Sequence, residues 1–127
     1  MASSVELAVR TAVKQGDVLP TPTGSAEFVV GSVDVQGVTL LFGPKRTPTF
    51  FSWLVLEGVQ DYLEGRGWVS IGANRDVGGK AGTLDWYLKQ HVARQTANYV
   101  AVLLVRSKVL ELDAMRPARV RLSSGDA

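Results

Sequence analysis

An α+β fold is what this sequence predicts, and three observations carry the prediction. Of its 127 residues, 46% are hydrophobic and only 20% are charged, which is enough apolar material for a packed core and too little charge for disorder. Two apolar runs, Ala26 to Gly31 and Val38 to Phe42, have the length and composition of strands. Between Gly82 and Leu122 the apolar spacing changes from a helical repeat to strict alternation.

The elements follow in order. Ser4 can cap a helix from Val5 to about Gln15, with Leu7, Ala8, Val9, Ala12 and Val13 on its apolar side and Gly16 at the C′ position. Asp17 to Ser25 holds Pro20, Pro22 and Gly24 and reads as an ordered loop. The two strands are joined near Asp34-Val35-Gln36-Gly37, where glycine permits a tight reversal. Gly43 to Pro48 is a loop carrying the adjacent cations Lys45 and Arg46; they could reach a phosphate, although a solvated loop is the favoured reading. Thr47 or Thr49 then caps a helix running through Phe50, Trp53, Leu56, Val59 and Leu63, with Pro48 in its first turn and Gly65 or Gly67 at its end. Its aromatic residues read as core.

Trp68 to Ile71 is a short strand. Gly72 to Gly82 contains four glycines together with Arg75 and Lys80, and feeds the N-terminus of the next helix. A helix N-terminus suits an anion. The spacing of a nucleotide phosphate loop is absent, however, because Lys80 is followed by Ala81 rather than by a hydroxyl residue. Thr83 caps a helix with Leu84, Leu88 and Val92 on one side. Thr96 caps a second, whose apolar stripe is Ala97, Val100, Ala101 and Leu104. Val109 to Leu112 and Ala118 to Leu122 then form a hairpin about Asp113 to Pro117, with Leu110, Leu112, Val120 and Leu122 alternating with charges.

This order of helix, three-residue turn, helix and hairpin resembles the winged helix-turn-helix superfamily of DNA-binding domains. The resemblance covers Gly82 to Leu122, and reaches back to Thr49 if the Thr49 to Gly72 stretch supplies the family's first helix and short strand. It implies a winged helix-turn-helix domain over residues 49–122, preceded by an added N-terminal helix and β-hairpin in residues 1–48 and followed by a tail, 123–127. The added hairpin could extend the wing's sheet or form a small unit of its own.

The resemblance also implies a site. In helix-turn-helix proteins the second helix enters the major groove. Carried onto this chain, that points to Gln95, Thr96, Asn98 and Tyr99 as base readers, with Val102 and Arg106 further along. Lys89, Arg94 and Lys108 would lie near phosphates, and Arg116 and Arg119 on the wing, where Arg121 could join them. Arg75, Lys80, Lys45 and Arg46 would add backbone contacts. The second helix departs from the usual pattern, since Val100 to Val105 are all apolar. Val102 or Val105 must therefore face the N-terminal strands, a partner chain or bases; a valine could contact the methyl of thymine or of a methylated cytosine. Packing on the added strands is the favoured reading.

Charge agrees with this placement. Residues 1–66 hold five basic and seven acidic side chains, whereas residues 75–121 hold nine and four. Other chemistries find less support. There is no cysteine, so neither a disulfide framework nor a cysteine zinc site can form. His91 is the only histidine, and Ser52 and Ser70 lack the setting of a nucleophile. Glu111 and Asp113, preceded by Lys108, do not follow a nuclease layout. No cofactor, metal or catalysis is expected. The start MASSVELAVR lacks the apolar core of a signal peptide, and no apolar run has membrane-spanning length, so a cytoplasmic protein is expected. The expected function is a reader of double-stranded DNA, either a regulator or a target-recognition module. The alternative is a winged helix used for protein assembly, as a homodimer or with another protein. Cations sharing one exposed face would favour DNA; interruption by Asp85, Glu111 and Asp113 would favour assembly.

Overall fold

The computed structural model describes residues 4–22, 24, 26–72, 81–114 and 118–123. It is a mixed α+β structure with two antiparallel sheets. Helix α1 (Ser4–Ala12) leads into strands β1 (Val18–Pro20), β2 (Glu27–Val33), β3 (Gly37–Phe42) and β4 (Thr47–Ser52). These four strands form a meander in the order β1-β2-β3-β4. Then come helix α2 (Trp53–Leu63), strand β5 (Val69–Ser70), helices α3 (Leu84–Lys89) and α4 (Ala97–Arg106), and strands β6 (Leu110–Asp113) and β7 (Arg119–Leu122). The second sheet has the order β5-β7-β6. The β2–β3 hairpin therefore belongs to a separate sheet and does not extend the second one.

Three expectations about the first half need correction. Helix α1 stops at Ala12, short of Gln15, because Lys14 and Asp17 close a turn. The Asp17–Ser25 stretch contains a strand, β1, whose Leu19 is buried opposite Phe28. The third is the largest: Thr47 to Ser52 is a strand, and the helix begins only at Trp53. Alternation explains it. Thr49 and Phe51 turn inward while Pro48 and Phe50 turn outward, a period of two that a helix cannot satisfy. Pro48 is tolerated because β4 lies at the sheet edge, where a missing N–H breaks no ladder. Ser52 supplies the cap expected of Thr47 or Thr49, its Oγ accepting from the Val55 N–H at 3.2 Å. The boundary expected at residue 48 thus falls inside β4.

The β2–β3 reversal behaves as expected. The Asp34 carboxylate accepts from the Gln36 and Gly37 N–H groups at 2.8 and 3.2 Å. A side chain at Gly37 would strike the Phe51 carbonyl, so the backbones of β3 and β4 close only over glycine. Trp53 ties this turn to α2, its indole donating to the Asp34 carbonyl at 2.9 Å.

One apolar cluster joins everything. Phe28, Val30, Leu40 and Phe51 of the first sheet, Val5 and Val9 of α1, Leu56 and Leu63 of α2, Leu84 and Leu88 of α3, and Leu110 and Val120 of the second sheet are all buried. Burying each such side chain stabilises the fold by roughly 1.5–3 kcal/mol. Helix α4 lies at the centre. Val100, Ala101, Leu103 and Leu104 are fully buried, and Val102 and Val105 are half-buried against the same cluster. Tyr99 stacks on Phe42 at 4.1 Å and meets Phe28 edge-on at 5.2 Å. The long apolar run of this helix is thereby accounted for: the four-stranded sheet covers the side that the other elements leave open. Among the described residues no helix is long and apolar enough to cross a membrane.

Candidate functional site

The described residues expected to contact DNA sit on α3, the α3–α4 turn, α4 and the turn after it, β7 and the β3–β4 turn. Thr83 caps α3 as expected, its hydroxyl accepting from the Trp86 N–H at 3.1 Å. Thr96 does not cap α4 with its side chain; it is fully buried, and its hydroxyl has no hydrogen-bond partner among the described residues. Of the other five base-reading candidates, Gln95 and Arg106 are exposed, and Asn98, Tyr99 and Val102 are half-buried. Tyr99 is held between Phe42 and Phe28 and Val102 packs on the core, so both side chains are turned into the fold.

The cations are distributed among separate tasks. Lys89 pairs with the buried Asp85 at 3.2 Å. The Arg94 guanidinium donates to the Thr49 hydroxyl at 2.7 Å and lies over the Phe42 ring at 4.7 Å, which fastens the α3–α4 turn to the first sheet. Arg119 pairs with Asp113, and Arg121 with Glu111 at 2.9 Å, both across the β6–β7 ladder. The same two guanidinium groups lie 5.3 and 4.4 Å from the Trp68 ring centroid. In the β3–β4 turn Lys45 is exposed, and Arg46 adopts a positive φ and donates to the Glu27 carbonyl at 2.9 Å. Arg106 and Lys108 are exposed and make no ion pair among the described residues. Arg75, Lys80 and Arg116 lie outside the described residues.

An aromatic ladder joins α2 to α3. Tyr62 stacks on Tyr87 at 5.2 Å and faces Trp86 at 6.1 Å, and its hydroxyl donates to the Thr83 carbonyl at 3.0 Å. Tyr87 donates to the Val55 carbonyl at 2.9 Å, and its pKa is raised above the ordinary 10.0, first by burial and then by the nearby Asp61 charge. His91 rests at the end of this ladder, 5.0 Å from Tyr87. Gly58 permits the approach: a Cβ there would collide with the Tyr87 hydroxyl. Nothing in the spacing of the sequence marks Gly58 as a contact point. Among the described residues no group of three or more histidine, aspartate or glutamate side chains could hold a metal ion.

Two adjoining cavities lie among the described residues. One, of about 470 Å³, lies between Val5, Ala8, Gln60, Val109 and Leu122. The other, of about 520 Å³, lies between Leu7, Thr11, Ala12 and Arg106. Ala8, Ser107 and Lys108 line both. Hydrophobic spacing along α1 could not reveal this groove, because α4 forms its other wall. No protein-family model, curated protein or solved structure matches the chain.

Proposed function

We propose that this chain is a winged-helix module used for protein assembly. The winged-helix part of the reading draws support from element order: α2, β5, α3, α4, β6 and β7 follow one another with β5 paired to β7, the arrangement of a first helix, short strand, helix-turn-helix and wing. The assembly part rests on one observation. The helix that would enter a DNA groove, α4, is clamped beneath the four-stranded sheet through Tyr99, and its preceding turn is fastened there through Arg94. Freeing α4 would strip Phe28 and Phe42 of their partner. The charges agree, since Asp85, Asp113 and Glu111 each hold a cation that a phosphate would otherwise need.

A reader of double-stranded DNA is the second reading. It is favoured by the basic excess over residues 75–121 and by the exposure of Gln95 and Arg106. Titration against a labelled random-sequence duplex at low and moderate salt separates the two. The assembly reading expects no salt-sensitive binding. Binding that falls steeply with salt, and weakens in Arg106→Ala and Lys108→Ala, would overturn it. Arg94→Ala is the wrong probe, because its loss also loosens the sheet contact.

A further inference from the structure

We propose that copies of this chain associate with one another, the acidic ridge of α2 on one copy seating in the basic groove between α1 and the end of α4 on another. This rests on the assembly reading and names its partner.

The groove is built by how α4 ends. The Ser107, Lys108 and Val109 N–H groups turn back to the Leu103, Val105 and Leu104 carbonyls. That wrap needs a left-handed residue, and Lys108 supplies it at φ 65°. Glycine or asparagine usually stands there, because a side chain makes the conformation costly. A lysine in this conformation carries a strain that glycine would not, and it sets a cation at the end of α4. Lys108 and Arg106 project beside the apolar Leu7, Ala8 and Ala12, and among the described residues no carboxylate lines either cavity. Two cations without ion pairs over an apolar floor call for an anionic, partly apolar ridge.

The chain carries one. Leu54, Glu57 and Asp61 recur at helical spacing along α2, and Glu64 follows as its C-cap. Leu54 is 79% exposed; Asp61 and Glu64 are exposed and Glu57 is half-buried. None of the three carboxylates makes an ion pair among the described residues, so ridge and groove do not satisfy each other within one copy. Between copies, Leu54 would enter the apolar part beside Leu7 while Glu57 and Asp61 meet Arg106 and Lys108. A phosphate backbone could use the cations but not the apolar floor.

Light scattering over a concentration series at low salt tests this. The mass per particle should rise with concentration and fall back as salt is added. Leu54→Ser, Asp61→Lys and Lys108→Glu should each weaken association by about tenfold or more. Mixing the Asp61→Lys and Lys108→Glu proteins should restore it, because the mixture pairs opposite charges on both sides. Lys108→Gly should weaken association while raising the melting temperature, which separates lost contact from lost fold. A protein that stays monomeric, or associates equally well in every variant, overturns the proposal. The duplex titration keeps its failure distinct from that of the underlying reading. A monomer that ignores DNA sinks only self-association, whereas steep salt-dependent duplex binding sinks the assembly role itself.

Discussion

The two sheets of this molecule use their faces in opposite ways. The four-stranded sheet presses Phe28, Leu40, Phe42 and Phe51 onto helices, and its contact with Tyr99 makes α4 an interior element. The three-stranded sheet buries Val69, Leu110 and Val120, and on its outer face sets Glu111 and Asp113 against Arg121 and Arg119. The first sheet is a packing surface. The second neutralises its own charge. The comparison shows how a segment that reads as a DNA-contacting unit can be turned inward: α4 acquires a lid, and the cations of β7 acquire partners.

The sharpest way to break this contrast is at the lid. Phe28→Ala should destabilise the protein by about 3–5 kcal/mol in urea unfolding, since it leaves a cavity beneath Tyr99. A loss under about 1 kcal/mol would mean that the sheet does not hold α4. Gly58→Ala comes next. The added methyl meets the Tyr87 hydroxyl with no room to spare, so a cost of about 1–3 kcal/mol is expected, partly relieved by adding Tyr87→Phe.

Alkaline titration probes the same helix pair. Because the Tyr87 pKa is raised in the folded state, the native protein holds this proton more tightly than the unfolded chain does. Its contribution is fully present below the unfolded value near 10.0, and is lost as pH climbs through the higher folded value. Tyr87→Phe should flatten that part of the stability curve; an unchanged alkaline limb would count against the burial argument. The smallest effect belongs to the β6–β7 hairpin. Arg121→Ala removes an exposed cross-strand pair and should cost no more than about 0.5–1 kcal/mol, less in high salt. A larger loss would show that the outer face does more than neutralise charge.

Local pattern revealed the parts whose partners are close in sequence. The β2–β3 reversal and the β6–β7 hairpin were legible because alternation and turn chemistry sit side by side. So were α4 and the Thr83 cap. Strand β4 was not, because Thr47, Pro48 and Thr49 carry helix-start signals of their own, and only pairing with β3 turns Phe50 outward and Phe51 inward. The candidate site was legible as a set of basic residues but not as an arrangement. Arg94 reads as a phosphate contact until Phe42 and Thr49, from the first sheet, arrive beneath it. Thr96 reads as a cap until burial claims it. Lys108 gives no local sign of its left-handed backbone, because lysine is not a residue that favours it.

Strand β5 has its partner far downstream. Val69 must wait for Val120, whereas each strand of the first sheet pairs with its neighbour in the chain. A nascent chain emerging from the ribosome can therefore complete the four-stranded meander once Ser52 is out, but not the second sheet until Leu122 has followed. Closing that span costs more chain entropy than any pairing in the meander, so the second sheet is expected to pair later. During that interval the meander's apolar face has no α4 to cover it. The same contact that hides the helix in the finished protein is, in a chain that has made only the meander, an open apolar surface.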